Sequence, residues 1–480
     1  MFLVFDIGTT VIKAIIFDDN GKQISTGEHE INLISQVAGA AEQKAQDWIV
    51  AISNATKDAL TQGNISPNQI KGISIASQRG TVVPVKKDGT PLSNALTWMD
   101  SRISPLAKAH MEELTQKTML LRVAFIKDTQ PDVFNNADLM VTPMSYILHF
   151  LTGNWVESTS DAVYELYSAT RKERVPLSFD LIDENKFPEI ASPGKIVGEV
   201  QDSAARKLWI KPGIPVIMGA GDQQCAALGL GVIEEGQAKM TLGTGLFIDA
   251  VVENPPFEFF DPATKAFTLP HAIPDKFLVE AVLPGTGSTY KWFRDQIGRD
   301  VVEKAKTQGL NPYSLLDAEA EHVSPGADGL RMIPLQSFGK GVIKNFSFAH
   351  TRGHIIRAFF ESVAMAARFM CEVAFGAYEI HFDSIRGDGG GFRGKVWRQI
   401  IADATRKTIE VAESFENSAA RGASILAGVA IGVYPSFEDA VSKTVKVIET
   451  IPPGENAEVY DNIYGTFQEE FYAEVEKLEI

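Results

Sequence analysis

The sequence predicts a two-domain α/β protein, and three observations carry that reading. The chain has 480 residues, enough for two large domains. Short apolar runs bounded by Gly-rich turns alternate with stretches of helical periodicity. Each half opens on a β-hairpin around a Gly-Thr turn, Gly8-Thr9-Thr10 in the first and Gly243-Thr244-Gly245 in the second. The echo suggests one domain over residues 1–235 and another over 236–480.

Composition narrows the class. Apolar content of 45% and charged content of 22% are ordinary for a globular protein. A net charge of −16 argues against a nucleic-acid partner. Two cysteines, Cys225 and Cys371, support neither a disulfide framework nor a metal cluster. They fit a reduced, cytoplasmic setting. Asp6 interrupts the opening apolar run, so no signal peptide is expected. No apolar stretch of 18 residues offers a membrane span.

Taken in order, Phe2 to Phe5 reads as a strand, Val11 to Phe17 as a second and Lys22 to Ile31 as a third, with a hairpin signal at Asp19-Asn20-Gly21. Asp6 ends the first strand beside Gly-Thr-Thr, where a carboxylate and hydroxyl donors converge; such a group suits Mg²⁺, and equally a solvated hairpin. Ala41 to Gln62 has helical spacing in Trp48, Ile52, Ala55 and Leu60. Ile70 to Ala76 is a strand ending near Arg79-Gly80. Arg79 and Trp98 suit a polyhydroxyl ligand, through a guanidinium fork and a flat ring, or a surface Arg and a core Trp. Ser104 to Thr170 reads as mostly helical, and Pro-rich Arg171 to Val200 as a lid or loop.

The apolar run Ile214 to Met218 leads into Gly219-Ala-Gly-Asp222-Gln-Gln, and a helix is expected from Ala226. A lone acid at a Gly-flanked turn can project into a cleft. Met240-Thr-Leu-Gly243-Thr244-Gly245 then offers N–H and hydroxyl donors of the kind that wrap phosphate, although a strand, a turn and a hairpin occur in many α/β enzymes. Further strands are expected over Asp261 to Leu283 and Gly329 to Pro334. A helix carrying Trp292 follows Gly285-Thr-Gly287, and a buried one runs from His354 to Phe375. Gly387-Asp-Gly389-Gly390-Gly391 permits close approach of a ligand to backbone, or is a plain turn. Helices are expected at Lys395 to Arg406 and Ser418 to Val433, the latter packed through small residues. A strand is expected at Thr408 to Ala412, and Tyr464 to Ile480 reads as a solvated helix.

Five motifs stand in one order: DIGTT from Asp6, W-x-D-x-R from Trp98 to Arg102, GAGDQQ at 219–224, TLGTG at 241–245 and GDGGG at 387–391. With Glu42-Gln43, Trp48 and Leu151-Thr-Gly153, they make the chain resemble the FGGY carbohydrate kinases of the actin/hexokinase/Hsp70 ATPase superfamily over nearly its whole length. The resemblance implies two ribonuclease-H-like domains flanking a nucleotide cleft, with ATP and Mg²⁺ as cofactors. It implies Asp222 as catalytic base and Asp6 near the metal. Gly8, Thr9, Thr10 and Lys13 match the first phosphate loop, and Gly243 and Thr244 the second. Gly287, Gly389, Gly390 and Gly394 match nucleotide-side positions; Arg79, Trp98 and Gln223 match substrate-side ones.

The implied substrate is a small sugar or polyol, foremost a ketopentose. Arg79-Gly80 lacks the glutamate usual in glycerol kinases and the Met-His usual in xylulokinases. Gly394 replaces an Asn of glycerol kinases, and Leu335-Gln-Ser-Phe-Gly stands where the family has Gly-Glu-Arg-Thr-Pro. The alternatives are a glycerol kinase, a kinase of a non-sugar hydroxylated metabolite, and a non-catalytic actin-like nucleotide switch. A homodimer is the assembly considered.

Overall fold

A computed structural model describes residues 1–109, 118–162, 166–168, 170–174, 183–335 and 340–477. Two mixed sheets organise it. The first contains β1 (Phe2–Ile7), β2 (Val11–Phe17), β3 (Gln23–Glu30), β4 (Gly72–Ser77) and β5 (Pro215–Ile217). The second contains β6 (Ala238–Leu242), β7 (Leu246–Val252), β8 (Phe277–Leu283), β9 (Ser384–Asp388) and β10 (Thr408–Ala412).

Both sheets share one topology. In the first, β3, β2 and β1 run antiparallel, β4 lies parallel to β1, and β5 parallel to β4. In the second, β8, β7 and β6 run antiparallel, β9 lies parallel to β6, and β10 parallel to β9. The hairpin echo in the sequence therefore marks a repeat of strand order, as two ribonuclease-H-like domains require.

Helices cover the sheets: α1 (Ala45–Gln62), α2 (Thr118–Thr129), α3 (Asp222–Gly229), α4 (Thr286–Gln296), α5 (Arg352–Met370), α6 (Lys395–Thr405), α7 (Ser418–Ala430) and α8 (Ala457–Glu476). Strand β1 is apolar on both faces because both faces are buried. Leu3 and Phe5 pack with Trp48, Ile52 and Ala55 of α1, whereas Phe2 and Val4 pack with Ala420, Ala423 and Ala427 of α7. Helix α7 thus reaches from the second half of the chain onto the first sheet. Its small residues let it approach α3. A Cβ on Gly422 would lie 1.8 Å from the Cys225 carbonyl oxygen, and one on Gly229 would lie 1.9 Å from that of Ser418.

Several boundaries differ from expectation. Helix α1 starts at Ala45, because Glu42–Gln43 pairs as a short strand with Ala95–Leu96. Helix α3 begins at Asp222 rather than Ala226, so the acid opens the helix. The stretch read as mostly helical also contains strands Leu139–Val141 and Val156–Ser158, and residues 110–117, 163–165 and 169 lie outside the described ones. The expected lid contributes strands Glu189–Ala191 and Ile196–Glu199, while 175–182 lie outside the described residues. Helix α5 ends at Met370 and continues as a π turn, Cys371–Phe375. The final helix is not simply solvated: it starts at Ala457, and Tyr460, Tyr464 and Phe467 enter the core. No helix among the described residues is long and apolar enough to cross a membrane.

Candidate active site

Asp222 is the first residue of α3, entered from the short strand Ala220–Gly221 that pairs with the end of β4. A web of hydroxyls sets this turn. Ser158 Oγ donates to the Gly219 carbonyl at 3.0 Å, and Ser160 Oγ accepts from the Gly221 N–H at 2.9 Å. The Asp222 side chain is 39% exposed, so it can meet a ligand. Its Oδ1 accepts from the Gln223 N–H at 2.8 Å and lies 3.7 Å from Arg79 Nε.

Asp6 stands near the end of β1, opposite Lys13 on β2. Burial pushes its carboxyl up to about 6; Lys13 pulls it back, and the Asp222 and Glu28 charges add to the rise. A cation would offset the cost that burial and the Asp222 charge place on ionised Asp6. Mg²⁺ is commonly held by one or two carboxylates together with phosphate oxygens rather than by an all-protein cage. Among the described residues no group of three or more His, Cys, Asp or Glu forms such a cage. The residues present therefore fit a cation brought by a nucleotide.

Lys13 reaches toward the second half: its Nζ donates to Asn417 Oδ1 at 3.0 Å and lies 3.9 Å from Glu28. Thr9 and Gly8 are half-buried, whereas Thr10 is exposed. Trp98 is half-buried, and its indole N–H donates to Thr9 Oγ1 at 2.8 Å. The W-x-D-x-R motif holds Trp98 in place. Asp100 accepts from the Ala41 N–H at 3.0 Å and from Arg102, whose other bond goes to Glu42 at 2.6 Å. Arg122 of α2 binds the carbonyls of Thr97 and Trp98.

On the second sheet, the Gly243-Thr244-Gly245 turn is enclosed by backbone. A Cβ on Gly287, in the first turn of α4, would sit 2.0 Å from the Gly243 carbonyl oxygen. Gly389 has φ 84°, and a Cβ there would sit 2.5 Å from the Leu242 oxygen. Gly390 differs, for a Cβ there meets nothing within 4 Å. A Cβ on Gly394 would fall 2.7 Å from Asp317 Oδ2. Thr244 is exposed at the tip. An open cradle of this kind, with an exposed hydroxyl and one free glycine face, fits a nucleotide.

Charges cross between the halves. Lys239, Asp249 and Glu280 lie directly opposite one another across β6, β7 and β8. Lys239 and Asp249 are fully buried and paired at 2.7 Å. Lys239 Nζ also donates to Gln223 Oε1 at 2.7 Å and to Thr241 Oγ1 at 3.0 Å. Burial works against the Lys239 charge, but Asp249, Asp388 and Glu280 outweigh it and raise its pKa. Glu280 pairs with Arg79 at 2.8 Å. Burial raises the Glu280 carboxyl, and Arg79 opposes the rise.

The sequence reading named Arg79 and Gln223 but missed Lys239, Asp249, Glu280, Ser158, Ser160 and Arg122. For the first three a signal existed: each is the lone charge in a largely apolar strand, AKMTL, LFIDAVV and FLVEAVL.

The comparisons agree with this geometry. The model of the FGGY family of carbohydrate kinases, N-terminal domain, matches residues 1–229, and that of the C-terminal domain matches 238–431. An autoinducer-2 kinase from Salmonella choleraesuis is 29% identical over 97% of this chain and 93% of its own. A xylulose kinase from Staphylococcus epidermidis is 26% identical over 97% of this chain and 95% of its own. The crystal structure of xylulose kinase from Rhodospirillum rubrum superposes with a TM-score of 0.82 at 24% identity, covering 99% of both chains. Plasmodium falciparum glycerol kinase with ADP gives 0.82 at 19% identity, covering 100% of this chain and 99% of that one. With both family models matched in order along two sheets of one topology, the chain belongs to the FGGY family of carbohydrate kinases.

Proposed function

We propose that the protein transfers the γ-phosphoryl group of ATP to a hydroxyl of a small sugar or polyol, with a ketopentose or a related polyol as substrate. The observation that supports this most is Asp222: an accessible carboxylate at a helix start, beside Arg79 and close enough to Asp6 for its charge to be felt there. Asp222 takes the proton of the attacking hydroxyl. The substrate hydroxyl oxygen then forms a bond to the γ-phosphorus as the bond to ADP breaks. Mg²⁺, with Asp6 as its protein ligand, would neutralise phosphate charge. The first turn and the second, with Thr244, hold phosphates; Gly390 leaves space for the adenosine side. Residues 1–235 supply the sugar side and 236–480 the nucleotide side.

Arg79 and Trp98 face the substrate from the first half. Arg79 is shared with Glu280 and Asp222, so its guanidinium aligns the base as well as offering donors. Gly80 has φ 69°, a conformation that disfavours the side chain glycerol kinases carry there. A second reading, a kinase of a non-sugar hydroxylated signal, draws support from the autoinducer-2 kinases among the relatives.

The test is a side-by-side assay with glycerol, xylulose, ribulose, erythritol and a non-sugar diol at fixed ATP. The best four- or five-carbon ketose or polyol is expected to exceed glycerol in kcat/KM by at least ~10-fold, about 1.4 kcal/mol in transition-state binding. Glycerol as best substrate contradicts the reading of Gly80. The non-sugar diol as best substrate favours the second reading.

A further inference from the structure

The Thr9 hydroxyl belongs to a hydrogen-bond chain in which every proton can be assigned. Three groups in it have fixed roles. The indole N–H groups of Trp48 and Trp98 only donate, and the Thr9 carbonyl only accepts. Trp48 Nε1 meets Gln43 Oε1 at 3.1 Å, and Gln43 Nε2 meets the Thr9 carbonyl at 2.5 Å. The Gln43 amide is therefore oriented from both ends. Gln78 approaches the same Gln43 oxygen at 3.2 Å, so it must present its NH₂ group there. Its own oxygen then faces Thr9 Oγ1 at 2.9 Å. An amide oxygen cannot donate, so the single Thr9 hydroxyl proton goes to Gln78. The lone pair of Thr9 Oγ1 takes the Trp98 N–H at 2.8 Å. Flipping either glutamine would set donor against donor or acceptor against acceptor.

The chain is anchored deep. Gln43 and Trp48 are 0% exposed and Gln78 is 2% exposed. Turning the Thr9 proton toward a ligand would strip a buried amide oxygen of its donor, and that is costly. We infer that Thr9 is a positioning residue which ties Trp98 to the first Gly-Thr turn, and that its hydroxyl does not hold phosphate. The inference rests on the reading of Trp98 as sugar-side and of the turn as phosphate-side. Phosphate contact from this turn falls to its backbone N–H groups and to the exposed Thr10 hydroxyl. A sugar that shifts Trp98 shifts the turn with it, so sugar and nucleotide affinities are coupled through one bond.

The experiment uses the full chain with Thr9→Val, Thr9→Ser, Trp98→Phe and the Thr9→Val/Trp98→Phe double variant. Two quantities are read: the Kd of a non-hydrolysable ATP analogue with and without the best polyol, and the Trp98 indole ¹H–¹⁵N resonance, assigned by its loss in Trp98→Phe. The expected result is a Trp98 resonance that moves in Thr9→Val and returns in Thr9→Ser. The analogue alone should bind Thr9→Val within about twofold of wild type. Sugar–nucleotide coupling, on the order of 5-fold or more where such coupling exists, should collapse equally in Thr9→Val, Trp98→Phe and the double variant, because all remove one bond. Weakening of the analogue alone by ~10-fold in Thr9→Val, with the Trp98 resonance unmoved, overturns the inference. If no polyol alters analogue affinity in the wild type, the sugar-side reading fails, while the resonance and the analogue affinity alone still decide where the Thr9 proton goes.

Discussion

Between Ile7 and Val11 the first Gly-Thr turn is held by side chains; between Leu242 and Leu246 the second is held by backbone. The two occupy the same place in two sheets of one strand order. In the first, Thr9 is wired through Gln78 and Gln43 to Trp48 in the core. In the second, Gly287 and Gly389 press against the Gly243 and Leu242 carbonyls, and Thr244 stands exposed. One step earlier the chemistry also parts. Asp6 precedes the first turn by two residues, and Thr241 takes that place in the second, with Lys239 behind it. A repeated topology thus yields one acidic, wired turn and one neutral, open turn. The first suits cation and substrate alignment; the second suits a nucleotide that must enter and leave.

Asp6→Asn should have the larger effect on this division. Loss of the carboxylate is expected to lower kcat on the order of 10²-fold, the scale of losing one charge-stabilising group. The same change should stabilise the ligand-free protein. The folded pKa of about 6 lies above the ordinary 3.8, so stability from this group falls as pH rises from about 4 through 6. At pH 8 the asparagine variant should be more stable by roughly 3 kcal/mol, and at pH 4 by less than about 1 kcal/mol. Thermal unfolding at both values measures it. Equal turnover, or no pH-dependent gain, would erase the contrast between the turns.

Thr244→Val should act on the other side, weakening ATP while sparing the sugar. A hydroxyl bond to a charged phosphate is worth roughly 1.5–3 kcal/mol. Separate titrations of nucleotide and sugar decide it, and loss of sugar affinity alone would reverse the two sides.

The smallest effects test the backbone cradle. Gly390→Ala adds a methyl group that meets nothing within 4 Å, so stability should not change. Gly389→Ala forces a left-handed backbone against the Leu242 carbonyl and should cost at least about 1–2 kcal/mol. Chemical denaturation of the two variants side by side gives the answer; similar losses would mean the cradle does not constrain the turn.

Much of this organisation was legible in the residues. Hairpins, Gly turns and apolar strands announced the fold, because local backbone geometry and two-sided burial leave a direct mark on sequence. The start of α3 at Asp222 did not show, since Gly221 ends a strand and opens a helix with no capping side chain. The tail helix read as solvated because its charges outnumber its aromatics, yet Tyr460, Tyr464 and Phe467 fall on one buried stripe. The partners of the site stayed hidden for a different reason. The Arg79–Glu280 contact joins residues 201 positions apart, and the Gln223–Lys239 contact crosses from the first half of the chain to the second; no spacing rule reaches across two domains. Thr9 was visible as a turn threonine, but the bonds that claim its hydroxyl come from Gln78 and Trp98.

The central claim is that Asp222, at the start of α3 beside Arg79, takes the substrate proton. Asp222→Asn keeps the size of the side chain and removes its basicity. Turnover with the best substrate from the panel, measured beside the Kd of an ATP analogue, tests it most directly. The account predicts kcat lower by on the order of 10²–10⁴-fold with nucleotide affinity nearly unchanged. A variant retaining more than about a tenth of wild-type kcat would contradict it.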